Sequence, residues 1–240
     1  MTVSGSTALV TGANRGLGAR LVRELLDAGA ARVYATARNP RSMTDLDFAS
    51  DARVRILSLD ITDSDSVANA VGAAPDVTLL VNNAGVLSFG AASDGDLDLI
   101  RHDLATNYVG TIRVTQAFLP VLEANSPSVI VNVLTLIALA PVPGMAGYSA
   151  SKAAAHSLTQ ALRAELRGRG IRVVGAYPGG IDTDMLAGVE ADKADPRVVA
   201  ARIVAGIDAG ETMIWPDDAS AGAGSVYLDD PVRLEQMLAG

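Results

Sequence analysis

Short apolar runs alternate along this chain with longer stretches in which apolar residues return every three or four positions. Runs over 7–11, 32–37, 54–60, 77–82, 128–134, 171–176 and 212–215 are strand-like, compact and rich in Val, Ile, Leu and Ala. Between them the spacing predicts helices over 17–28, about 63–73, 96–104, 107–123, 148–167 and 196–209. In the first helix Leu17, Leu21, Val22 and Leu25 share a face, and Gly29 is a natural terminator. Asp63 or Thr62 is placed to cap the second. Apolar residues of 107–123 reach round more than half the circumference, which suits a helix packed on two sides. The tail after Trp215, with Asp217, Asp218, Asp229 and Asp230, carries no periodicity that assigns it.

No repeat, linker or change of composition divides the chain. Alternation of this kind predicts one α/β domain over 1–240: a doubly wound, Rossmann-type parallel sheet of about seven strands with helices on both faces. Ligands are then expected at the carboxyl ends of the strands.

Composition narrows the function. A net charge of −8 and an isoelectric point near 4.7 argue against a nucleic-acid surface. The absence of cysteine excludes disulfides and thiolate metal sites and fits a reducing, cytoplasmic setting. His102 and His156, far apart in sequence, have no metal-ligand spacing and are expected at the surface or in helix packing, so no metal is expected. No stretch approaches the ~20 apolar residues of a membrane helix. The mean hydropathy of +0.28 is instead what a parallel sheet covered on both faces would supply.

One phosphate-binding pattern stands out. Thr11-Gly12-Ala13-Asn14-Arg15-Gly16-Leu17-Gly18 follows the first strand and opens the first helix. Glycines let the backbone approach a diphosphate, and the helix amino terminus offers unpaired N–H groups. Strand before and helix after supply the context a dinucleotide site requires. The second strand ends in Ala37-Arg38 rather than in an acidic residue, and Arg15 sits in the glycine loop. Two guanidiniums there favour a 2′-phosphate, so NADP(H) is the expected cofactor. Asp60 is placed to bond an adenine amino group with Ile61 against the ring, or equally to serve turn and capping chemistry. In Asn82-Asn83-Ala84-Gly85 the small residues permit close approach to a ribose. The asparagines could instead satisfy buried backbone groups of neighbouring strands.

A second constellation follows the fifth strand. Thr135 brings a hydroxyl, a loop with Pro141, Pro143, Gly144 and Gly147 turns the chain back, and Tyr148 and Lys152 stand one helical turn apart on one face. A phenol, an ammonium and a hydroxyl around one volume can move a proton onto or off an oxygen. Lowering a phenol from about 10 to near 7 requires ~4 kcal/mol. A cation ~4 Å away at an effective dielectric of 20 supplies ~4 kcal/mol, and burial of the phenol opposes it.

These motifs, with Asn107 and Pro178-Gly179 in the same order, resemble the short-chain dehydrogenase/reductase family over about residues 5 to 215. The resemblance implies a nicotinamide cofactor and hydride exchange between a carbonyl and its alcohol. It implies that Tyr148 is the acid in reduction and the base in oxidation, and that Lys152 binds the nicotinamide ribose and lowers the Tyr148 pKa. It further implies that Asn107 holds a water linked to Lys152, and that Pro178, Gly179, Ile181 and Thr183 line the nicotinamide. Arg15 and Ala37-Arg38 match the family's NADP(H) pattern. Thr135 departs from it, because the family usually has serine there; threonine keeps the hydroxyl but adds a methyl and a stiffer χ1.

Val86, Leu87, Leu136, Ile137, Met145, Met185 and Leu186 flank the expected site, and no arginine lies beside it. The expected partner is therefore a hydrophobic small-molecule ketone or aldehyde and its alcohol. Residues 183–196 would suit a short lid. The broad apolar helix over 107–123 beside 148–167, and the family's habit, suggest a homodimer or homotetramer, with neither nucleic acid nor membrane as partner. The alternatives are a non-catalytic NADP(H)-binding redox sensor and an epimerase or lyase on the same fold.

Overall fold

The computed structural model describes residues 1–239. Seven parallel strands form one sheet: β1 (Thr7–Thr11), β2 (Arg32–Ala37), β3 (Val54–Ser58), β4 (Leu79–Asn82), β5 (Ser128–Val133), β6 (Ile171–Ala176) and β7 (Met213–Ile214). Their order is β3-β2-β1-β4-β5-β6-β7, so the winding reverses between β1 and β4. At that reversal the connections leave toward opposite faces and a crevice opens above the strand ends.

Side-chain alternation along the strands sorts the core into two layers. Ala8 and Val10 of β1, Leu79 and Val81 of β4, and Val129 and Val131 of β5 pack with Leu21, Val22 and Leu25 of α1 (Gly16–Asp27) and with Val199 and Ile203 of α6 (Pro196–Ala209). The intervening Leu9, Leu80 and Ile130 point the other way. They meet Val67 of α2 (Ser64–Ala73), Phe118 and Leu122 of α4 (Thr111–Ala124), and Leu158 and Leu162 of α5 (Ala146–Glu165). Near the carboxyl edge the second layer turns polar: Asn82 Nδ2 donates to Thr115 Oγ1 and Asn132 Oδ1, and Asn132 Nδ2 donates to Thr159 Oγ1.

The expected strands and helices are present, with shifts of one or two residues at most boundaries. Three differences matter. The helix α3 (Leu97–Asp103) does not end before Asn107; it runs through a wider π-turn over Leu104–Gly110 into α4, with Asn107 in that turn. The apolar circumference foreseen for 107–123 is only partly buried, because Val109 is exposed while Val114, Phe118 and Leu122 are covered. The unassigned tail forms α7 (Asp218–Asp229) and α8 (Pro231–Ala239). A capping box of Asp217 and Ser220 starts α7, a signal hidden in the sequence because serine replaces the usual Glu or Gln. No helix of the described residues is long and apolar enough to cross a membrane.

Candidate active site

One cleft of about 1020 Å³ runs over the carboxyl ends of the strands. It is lined by every residue singled out from the sequence for cofactor or chemistry except Asn107: Gly12, Asn14, Arg15, Gly16, Leu17 and Gly18 at one end, Arg38, Asp60 and Ile61 beside them, then Asn83, Ala84 and Gly85, and finally Thr135, Tyr148, Lys152, Pro178, Gly179, Ile181 and Thr183. Residues as far apart in sequence as Gly12 and Thr183 meet there because each follows the end of a strand.

The glycine loop is shaped as a cradle. A Cβ on Gly12, whose φ is 67°, would stand 2.9 Å from Ala84 Cα, and one on Gly18 would stand 2.1 Å from Gly12 O. Neither position can hold a side chain while the loop keeps this path. No side chain caps α1, so its first-turn N–H groups remain available to a ligand. Asn83 serves the loop from behind: its Nδ2 donates to Thr11 O and Gly12 O, and Thr11 Oγ1 accepts from the amides of Asn83 and Ala84. These contacts fit a diphosphate-sized group held by backbone. Asp60 uses Oδ1 in a turn, accepting from Thr62 N at 2.8 Å and Thr62 Oγ1 at 2.6 Å, and these bonds hold its carboxyl below the usual range. Arg15 reaches Asp184 at 3.5 Å across the cleft mouth, both side chains strongly exposed.

At the other end α5 begins at Ala146, so Tyr148 and Lys152 lie in its first two turns beside the end of β5. Lys152 Nζ donates to Val133 O at 2.8 Å and lies 5.9 Å from the centroid of the Tyr148 ring. Thr135 and Tyr148 are each 8% exposed. Among the described residues neither hydroxyl has a hydrogen-bond partner, which leaves both for a ligand in the cleft. Asn107 stands behind Gly85: its Oδ1 accepts from Val86 N, and its Nδ2 donates to Val86 O and Ser151 Oγ. Its side chain therefore ties the exit of β4 to α5.

The electrostatics differ from expectation. Burial pushes the Tyr148 phenol well above its ordinary value, and the charge of Asp103 adds to the rise. Lys152, itself desolvated, does not lower it in this state. Asp103 was not foreseen, since an aspartate closing a helix carries no signal of burial. It is fully buried and accepts from Ser88 Oγ at 2.9 Å and Ser88 N at 3.3 Å. Burial raises its own pKa against those bonds. His102 is exposed beside the cleft, whereas His156 packs with Nδ1 2.8 Å from Tyr177 OH.

Burial lowers the Lys152 ammonium from 10.5 to about 8. Below pH 8 folded and unfolded chains are both charged there, and the folded chain carries the full desolvation cost. Between about 8 and 10.5 the unfolded state binds more protons, so stability rises with pH, by up to about 3 kcal/mol. Urea midpoints at pH 8 and 10 should therefore increase for the parent relative to Lys152→Met. Parallel trends for the two proteins would contradict this burial.

The segment after β6 is anchored rather than free. Ala194 N donates to Gly180 O, Asp182 N donates to Ala194 O, and Lys193 Nζ donates to Leu186 O and Val189 O, each at 3.1 Å. Asp217 reaches the same region, with Gly179 N donating to its Oδ2 at 2.9 Å.

Comparison with known proteins places this architecture. The family model described as short chain dehydrogenase matches residues 6–194. A crystal structure of a short chain dehydrogenase from Burkholderia cenocepacia in complex with NADP superposes with a TM-score of 0.93 at 36% identity, over 100% of both chains. Sulfoacetaldehyde reductase 2 of Chromohalobacter salexigens is 36% identical over 184 residues, 73% of this chain and 73% of that protein. An oxidoreductase of Botryotinia fuckeliana is 33% identical over 181 residues, 73% of this chain and 65% of its own length.

Proposed function

This chain belongs to the short-chain dehydrogenase family, and on that premise we propose that it is an NADP(H)-dependent oxidoreductase interconverting an apolar ketone or aldehyde and its alcohol. The observation that carries the reading is the single cleft in which an uncapped helix start and glycine cradle lie in continuity with the free hydroxyls of Thr135 and Tyr148. The NADP-bound relative supports the choice of cofactor, as do Arg15 and Arg38 at the cleft.

The cofactor, when bound, supplies or accepts the hydride. Gly12, Gly16, Leu17 and Gly18 would present backbone to its diphosphate, and Asp60 with Ile61 would hold the adenine. Asn14, Asn83, Ala84 and Gly85 would flank the ribose, with Pro178, Gly179, Ile181 and Thr183 lining the nicotinamide. Tyr148 Oη gives its proton to the carbonyl oxygen in reduction and takes it back in oxidation, while Thr135 Oγ1 holds that oxygen. Lys152, which donates to Val133 O without a ligand, would bind the ribose hydroxyls and place positive charge near the phenol. Asn107 positions this group through Val86 and Ser151.

Apolar Leu87, Leu136, Ile137, Val142, Met145 and Met185 around the chemical end support the substrate class. Lys193 also lines the cleft, but two of its donors are taken by backbone carbonyls. An NADPH-oxidation screen over ketones and aldehydes tests the reading, and cofactor binding without turnover on any of them would favour a sensor. Assembly as a homodimer or homotetramer belongs to the same reading. Light scattering at micromolar concentration is expected to exceed the 24.6 kDa protomer, and the protomer mass would refute it.

A further inference from the structure

We propose that the C-terminal helix pair α7–α8 forms a wall of the substrate end of the cleft, with Leu238 and Ala219 limiting the length of the apolar group carried by the carbonyl. The family match ends at residue 194, and both side chains lie beyond it. Both line the same cleft as Tyr148 and Thr135. The inference rests on the carbonyl reading above and deepens it.

Three contacts fix this pair against the catalytic end. Leu136, the residue after Thr135, shares an apolar cluster with Ala140, Ala223 and the fully buried Leu234, and Leu238 packs on that cluster. Leu234 and Leu238 are one turn apart on α8, so the turn that anchors the helix also aims the next side chain at the cleft. Asp217 caps α7 with Oδ1 accepting from Ser220 N, while its Oδ2 accepts from Gly179 N in the loop after β6. Trp215 seats α7: a Cβ on Gly224 would fall 2.4 Å from Trp215 Cδ2, so the indole lies against the helix backbone. Two of these contacts hold α7 and the apolar cluster holds α8, so the pair as a whole behaves as a fixed boundary rather than as a fraying tail. The side chains of Leu238 and Ala219 are aliphatic, so the group they would recognise is an alkyl chain or ring.

The test uses the full chain with Leu238→Phe, Leu238→Ala and, on the other helix, Ala219→Leu. A series of methyl ketones, from butanone to a long-chain homologue, is assayed with NADPH. Leu238→Phe and Ala219→Leu are expected to lower kcat/KM for the long members at least about ten-fold relative to butanone. Leu238→Ala should move the optimum to longer chains. NADPH affinity should stay near that of the parent, and each variant should remain folded at the assay temperature. Because Trp215 is the sole tryptophan and adjoins this cluster, its fluorescence reads ketone binding without turnover. Length profiles that superimpose for parent and variants, in both assays, would overturn the proposal. If no ketone turns over but the variants still shift length-dependent binding, the wall stands and the carbonyl reading falls. If no ketone binds the parent at all, both fall.

Discussion

Tyr148→Phe is expected to lower turnover by about 10²–10⁴-fold while NADPH binding stays unchanged. The variant keeps the ring in its buried position and removes only the oxygen, so a loss reports proton transfer rather than packing. Burial and Asp103 both favour the neutral phenol, which is the form an acid in reduction needs. Reduction should therefore persist across neutral pH. Oxidation, which needs the phenolate, should rise as the solution becomes alkaline. Thr135→Val, which removes a hydroxyl that orients rather than transfers, should cost less, about ten-fold. Single-turnover rates with saturating NADPH separate these outcomes, and a Tyr148→Phe enzyme as fast as its parent would remove the phenol from the chemistry.

Arg38→Ala is expected to reduce kcat/KM for NADPH about 10–150-fold, with little effect on NADH. The range corresponds to one charge-assisted bond of ~1.5–3 kcal/mol to a 2′-phosphate. Arg38 is exposed at the cleft beyond the end of β2, near enough to Asp60 to help hold its carboxyl low. Arg15 already has Asp184 at 3.5 Å, although a pair this exposed is weak and its loss would oppose recruitment only slightly. An unchanged ratio of NADPH to NADH efficiency in Arg38→Ala would show that the guanidinium meets solvent only.

Much of this molecule was legible from local pattern. Strands announce themselves as short continuous apolar runs because a parallel sheet buries both their faces, as Ala8 and Val10 do on one side and Leu9 on the other. Helices announce themselves by a period near 3.6 because each buries one face. Gly12 and Gly18 were readable because no other residue fits where backbone crosses backbone. The Tyr148–Lys152 spacing was readable because four residues make about one turn.

What stayed hidden depends on partners distant in sequence. Nothing around Asp103 says that Ser88 will take its carboxylate or that its charge will reach Tyr148. Asn107 could be expected near Lys152, but not that its amide would be spent on Val86 and Ser151. The tail concealed two helices because small residues blur the apolar stripe of α7. By itself, then, the amino-acid order determined which segments up to Trp215 become strands and helices, and which side chains stand at strand ends, since both follow from short-range sterics and burial. Only the tertiary structure decided how acidic the phenol is, where each buried amide finds its partner and what closes the apolar end of the cleft. Desolvation and hydrogen bonding are properties of neighbours in space, and neighbours in space are set only once the sheet has closed.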